Sequence, residues 1–220
     1  MIAIIPARKG SARLPKKNRK KLLGKPLINW TLDFAEKLKF INDIVVSTDD
    51  KIILEKILAK KKNIKKFVRP KKFSKDSTDL TEAVIQIIDE YEKKIGKVDN
   101  VLLLQPTSPI RSVKHLVMAY KKFKESDKKN SVISVSKNYS KYKNCFEIKK
   151  NYLFKLKRKH KKTYQINGNF FIACRAFLKK YKSFYCKNKT HPVIMYPKKF
   201  SCDVDTIQDF NNVKKYLSLK

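Results

Sequence analysis

The chain has 220 residues, 42% of them apolar, which suits one α/β domain with a sizeable core. No apolar run approaches the ~20 residues of a membrane span, and the apolar stretch ahead of Arg8 is too short for a secretion signal, so a cytoplasmic protein without membrane contact is expected. The formal charge of +35 comes from 47 Lys and only seven Arg, spread over nearly every segment, which argues against specific nucleic-acid recognition.

The first half of the chain alternates strand and helix. Residues 2–5 are apolar and β-branched enough for a buried parallel strand. Residues 27–38 repeat apolar positions three and four apart, predicting a helix; 43–47 is the next strand and 51–61 the next helix. Then come a strand at 65–68, a helix at 80–93 and a strand at 101–104. In the helix, Leu80, Val84, Ile87, Ile88 and Tyr91 share one face. This alternation predicts a doubly wound, mostly parallel α/β sheet, with ligands beyond the carboxyl ends of its strands. The loops of interest are therefore 6–18, 48–50, 69–79 and 105–111.

The pattern then changes. A helix near 113–124 precedes a strand at 131–136, and residues 145–148 and 152–156 read as a hairpin outside the main sheet. A strand at 169–174 and a helix at 206–217 close the chain. One domain, 1–220, with an inserted arm at about 138–165 is the simplest account. A lone hairpin needs something to pack on, so the arm predicts a homodimer. The four cysteines (145, 174, 186, 202) have no metal-site spacing and read as reduced thiols. His115, His160 and His191 are isolated and read as structural.

The loop Pro6-Ala7-Arg8-Lys9-Gly10-Ser11-Ala12-Arg13-Leu14-Pro15-Lys16-Lys17-Asn18 is the most informative segment. Backbone N–H groups around Gly10 and Ser11 can cradle phosphate oxygens. Arg8 and Lys17 can neutralise a triphosphate and a departing pyrophosphate. The loop is neither a P-loop nor a G-x-G-x-x-G turn, and as bare chemistry it stands almost as well for a solvated turn. Asp203 and Asp205 alternate across Val204, so on a strand both carboxylates face one way and can share Mg²⁺. The competing reading is that Asp205-Thr206 starts the last helix as a cap. Gln105, ahead of Pro106 and Pro109, offers an amide to a sugar or simply caps a strand end. Arg111 binds an anion or, the favoured reading, pairs structurally with an acid such as Asp49.

The order of these segments resembles the CMP-sialic acid synthetase family, the acylneuraminate cytidylyltransferases. The resemblance runs through the basic loop, Val45-Val46-Ser47-Thr48-Asp49-Asp50, Arg69-Pro70 followed by Asp76, Leu103-Leu104-Gln105-Pro106-Thr107-Ser108-Pro109-Ile110-Arg111, Asn167-Gly168, and Asp203-Val204-Asp205-Thr206. It implies a Rossmann-like fold and transfer of CMP from CTP to the anomeric hydroxyl of a nonulosonic acid, with Mg²⁺ as cofactor and a homodimer as the assembly. By the same resemblance, Ala7, Arg8, Gly10, Ser11, Asn18, Arg69 and Asp76 meet the nucleotide. Gln105, Tyr164, Asn167 and Gly168 meet the sugar, Asp203 and Asp205 hold the metal, and Arg8, Lys17 and Asp205 are catalytic.

Two positions depart from the family pattern. Gln165 stands where an Arg is frequent, and Asn169 where a small residue is frequent. Both bear on the sugar half. A CMP-KDO synthetase is the nearest alternative, sharing the Pro-Ala-Arg start, but such enzymes usually lack Lys17-Asn18 and the Gln-Pro-Thr-Ser-Pro run. A basic RNA- or polyanion-binding protein is the alternative from another class.

Overall fold

The structure is a computed structural model and describes residues 1–59, 61–75, 77–138, 145–156 and 163–219. Strand β1 (Ile2–Pro6) leads through the basic loop into a two-stranded ribbon, β2 (Lys21–Leu22) with β3 (Lys25–Pro26), and then helix α1 (Leu27–Ala35). Strands β4 (Asp43–Thr48) and β5 (Ile64–Val68) follow, then α2 (Leu80–Lys94), β6 (Asn100–Leu103) and α3 (Val113–Glu125). β1 pairs in parallel with β4 on one edge and β6 on the other, and β4 pairs in parallel with β5. A strand flanked by parallel partners and covered on both faces has no wet side. That is why β1 is apolar throughout and buried at every position.

The second half contributes β7 (Ser131–Asn138), β8 (Phe146–Lys149), β9 (Tyr152–Lys155), β10 (Thr163–Cys174), α4 (Arg175–Tyr181), β11 (Thr190–Ile194) and α5 (Ile207–Ser218). The main sheet runs β11-β7-β10-β6-β1-β4-β5, with β10 antiparallel to β6 and β7 and the other pairs along this path parallel; β8 joins it antiparallel to β10 and to β9. The doubly wound, mostly parallel α/β architecture expected from the sequence is the one found. Among the described residues no helix is long and apolar enough to cross a membrane. No disulfide links the four cysteines.

Three expectations need correction. Residues 51–61 do not make a regular helix but centre on a π-helical turn, Ile53–Ile57. Leu58 N–H donates to Ile53 O at 2.9 Å, and this five-residue step lets both side chains bury completely. The hairpin is not outside the sheet, because β10 is twice as long as predicted and pairs with β8 at Tyr164↔Phe146. Leu153 on the hairpin is wholly buried against its own chain, so the packing argument for a dimer loses its premise. Finally, β11 was hidden by Pro192, which the sheet accommodates because β11 is an edge strand.

Two apolar clusters fill the opposite faces of the sheet, and a third lies apart from them. The third joins Leu14 of the basic loop, Leu22, Leu27 and Ile110 to Val204, Phe210 and Val213. It anchors the basic loop and the segment before α5 to one base.

Candidate active site

A cleft of about 320 Å³ opens where β1 and β6 end, as the topology predicts. Its lining comes from four segments: Arg8, Gly10, Ser11, Lys17 and Asn18; Arg69, Lys75, Thr78 and Leu80; Gln105, Pro106 and Thr107; and Asp203 with Asp205. The chain thus brings its basic loop, its acid pair and its Gln-Pro-Thr run, nearly 200 residues apart at the extremes, to one place.

The acid pair reaches the cleft by alternation, although residues 202–205 are extended coil and not the expected strand. Val204 is fully buried in the third cluster, and its N–H donates to Thr107 O at 2.7 Å. Burial of such a side chain is worth ~1.5–3 kcal/mol, enough to hold the flanking carboxylates toward the cleft. The helix cap belongs to Thr206, whose Oγ1 accepts from Asp209 N–H while Asp209 accepts from Thr206 N–H. Capping and display of Asp205 coexist.

Lys17 Nζ lies 2.9 Å from Asp205 Oδ1 and Arg13 Nη2 2.7 Å from Oδ2. Asp203 accepts from Ser108 Oγ at 3.2 Å. Burial pushes the Asp203 carboxyl above its ordinary range and the neighbouring Asp205 charge pushes the same way, while hydrogen bonds from Thr107 and Ser108 and the charge of Lys17 oppose them. A buried carboxylate whose proton affinity is raised by a neighbouring carboxylate is a place where a cation is favourable. Among the described residues no group of three or more His, Cys, Asp or Glu converges. Two hard oxygen ligands are the share Mg²⁺ takes from a protein when substrate phosphates and water complete its shell, so the residues present fit that ion.

Arg69 is 6% exposed, its N–H donates to Thr48 O at 3.0 Å, and its Nε has no acceptor among the described residues. Burial lowers its pKa, nearby Asp49 opposes this, and the charge of Arg8 adds to it. Two guanidiniums this close create a field suited to polyphosphate. Asn18, 8% exposed, donates Nδ2 to Arg8 O at 2.9 Å, while its Oδ1 is buried without a donor among the described residues. Ala7 is less available than the resemblance implies. Its N–H donates to Ser47 O at 2.9 Å and its C=O accepts from Thr48 Oγ1 at 2.5 Å, so both groups are already paired inside the sheet.

The sugar-side candidates separate. A register shift in the β7–β10 pairing between Ile166 and Phe171 makes Asn167-Gly168-Asn169 a bulge. Gly168 has φ +75°, and a Cβ there would lie 2.5 Å from Gln105 Oε1, so glycine is needed both for the backbone and for the space Gln105 occupies. Asn167 turns inward, its Oδ1 accepting from Asn169 N–H at 3.2 Å. Tyr164 packs against the apolar cluster containing Phe146 and does not line the cleft. Asp76 lies outside the described residues.

Arg111 has a structural role, but not with Asp49. Its Nε donates to Asn169 O at 3.1 Å, Nη1 to Thr31 Oγ1 at 2.8 Å and Nη2 to Gln105 O at 2.5 Å. Asp49 instead accepts from Lys9 N–H at 2.6 Å. Although Arg111 keeps some exposed surface, burial of its guanidinium pulls the pKa down to about 9, against the opposing charge of Asp203. Arg13, Lys75, Thr78, Thr107 and Ser108 join the site without having been singled out in the sequence. Their signal was position within three of the four predicted ligand loops.

A doubly wound sheet with a basic loop after its first strand, and an acid pair beside that loop, defines a nucleotide-binding α/β enzyme. The profile of a family described as cytidylyltransferase matches residues 2–219, and this chain belongs to that family. A Legionella pneumophila protein named CMP-N,N'-diacetyllegionaminic acid synthase is 33% identical over 228 residues, covering 100% of this chain and 97% of its own length. A Campylobacter jejuni pseudaminic acid cytidylyltransferase is 31% identical, covering 97% and 94%. A Streptococcus agalactiae N-acylneuraminate cytidylyltransferase is 32% identical over 98% of this chain but 53% of its own. In fold, the chain is similar to a CMP:2-keto-3-deoxy-manno-octonic acid synthetase solved with CTP, at a TM-score of 0.76 and 16% identity, covering 99% and 98%.

Proposed function

We propose that this chain transfers the cytidylyl group of CTP to the anomeric hydroxyl of a nonulosonic acid and releases pyrophosphate. The observation that carries the proposal is the meeting of Asp203 and Asp205 with Arg8, Lys17 and Arg69 in one cleft. The names of the three sequence relatives support the acceptor class.

In this reaction the acceptor oxygen forms a bond to the α-phosphorus, the bond from that phosphorus to the bridging oxygen breaks, and the hydroxyl proton is released. Charge accumulates on the departing pyrophosphate, so the protein contributes mainly position and positive potential. Arg8 and Lys17 stabilise the leaving group, with backbone N–H groups at Gly10 and Ser11 beside them. Arg69 and Asn18 face the nucleotide, and the Gln105 amide over Gly168 orients the acceptor. Asp203 and Asp205 would hold Mg²⁺, which supplies Lewis-acid charge at the phosphate oxygens and lowers the pKa of the attacking hydroxyl when bound. A cytoplasmic reaction and a homodimer belong to the same proposal; the dimer rests on the family resemblance and not on the packing of the β8–β9 arm, and is readable by sedimentation.

The test is pyrophosphate release from CTP and Mg²⁺ with N-acetylneuraminic, legionaminic and pseudaminic acids and KDO. Release with one nonulosonic acid and not with KDO is expected. Release with KDO alone would overturn the acceptor class, and silence across the panel with CTP still bound would leave only the nucleotide half standing.

A further inference from the structure

Asn169 is 1% exposed, an unusual degree of burial for an amide. Its Nδ2 donates to Ile110 O at 3.0 Å and to Phe200 O at 2.9 Å. The first carbonyl belongs to the loop after β6; the second belongs to the 3₁₀ turn Lys198–Ser201, which leads into Asp203. Asn169 O accepts from Arg111, which also holds Gln105 O and Thr31 Oγ1. Two side chains therefore tie together the Gln105–Gly168 rim, the approach to the acid pair, and α1. Neither lines the cleft.

We infer that Arg111 and Asn169 are positioning residues for cytidylyl transfer, a buried clamp that sets the spacing between the Gln105–Gly168 rim and the Asp203–Asp205 pair. The inference rests on the function proposed above. The Asn169 amide nitrogen and the Arg111 guanidinium are anchored on four backbone carbonyls, while Asn169 Oδ1 has no donor among the described residues; the planar guanidinium presents its donors in fixed directions. Rigidity matters because a reacting atom misplaced by ~1 Å costs on the order of 10²-fold in rate. A clamp that served only the fold would leave acceptor binding untouched.

The decisive variant is Asn169→Ala, which leaves the Ile110 and Phe200 carbonyls without this donor. Thr31→Val, which removes a single acceptor of Arg111, is the gentler second variant should Asn169→Ala fail to fold. Three assays are run: CTP Kd by calorimetry, steady-state kinetics for acceptor KM and kcat, and amide exchange at Val204, whose N–H is held by Thr107 O. In Asn169→Ala, Val204 exchange should accelerate and acceptor KM rise, each by roughly ten-fold or more, with CTP Kd within about two-fold. Thr31→Val should move both in the same direction by less. Unchanged Val204 exchange in both variants overturns the clamp, as does lost stability with acceptor KM unmoved. If the wild-type protein turns over no acceptor, the functional reading fails while Val204 exchange still decides the clamp.

Discussion

Asp205→Asn separates display of a metal-binding carboxylate from a simple helix start. Asp205 is 37% exposed and divides its oxygens between Lys17 and Arg13. Ion pairs at that exposure are worth ~0–1 kcal/mol, and the cap of α5 uses Thr206 and Asp209, leaving the Asp205 carboxylate free of that duty. The folded state should lose about 1 kcal/mol at most, a Tm shift of ~2–4 °C for a chain of this size. Turnover should respond differently. One unit of charge removed at ~4 Å from a cation forfeits ~4 kcal/mol at an effective dielectric of ~20, which corresponds to about a thousand-fold in kcat/KM. The assay is pyrophosphate release with Mg²⁺ titrated over several decades, alongside thermal unfolding. A variant within about ten-fold of wild type at every Mg²⁺ level would refute the metal assignment. Turnover lost only in proportion to a Tm drop far beyond that range would return Asp205 to a structural role.

Thr206→Ala is the converse experiment: losing the capping box should cost ~1 kcal/mol in denaturant unfolding, with kcat within about two-fold of wild type, and a larger kinetic effect would contradict the separation of cap and carboxylate. Gln105→Ala should raise acceptor KM by about ten-fold, roughly the worth of one lost hydrogen bond, and leave CTP Kd unchanged; a matching change in CTP Kd would put Gln105 on the nucleotide side. His191 stacks on Tyr152 with centroids 4.5 Å apart, its Nδ1 lies 2.9 Å from Asn151 O, and its Nε2 lies 3.1 Å from Asn130 Nδ2. Burial lowers its pKa, with Lys122 acting in the same sense and the Asn151 hydrogen bond against it. A folded pKa below the unfolded value of ~6.5 gives stability that is present above about pH 6.5 and lost as pH falls through the folded value. The urea midpoint should therefore fall more on acidification in the wild-type protein than in His191→Gln, and equal losses would remove His191 as the cause.

What was legible in the sequence, and what was not, divides by how far away the partner lies. β1, β4 and β6 were readable because a strand buried on both faces must be apolar along its length. Asp203 and Asp205 were readable as a pair because alternation survives in any extended segment, even though no strand forms there. The first half of β10 was not readable, since Gln165, Asn167 and Gly168 break the apolar pattern that marks a strand. Asn169 tolerates burial only because carbonyls 59 and 31 residues away in the chain accept from it. Arg111 likewise found Thr31, 80 residues distant, where the sequence suggested an acid. Periodicity records contact with a continuous apolar surface and is silent about a polar group satisfied by remote backbone. Arg111, whose partners the sequence misassigned, and Asn169, which departs from the family pattern, are the two residues of the proposed clamp, and both are satisfied by groups remote in the chain.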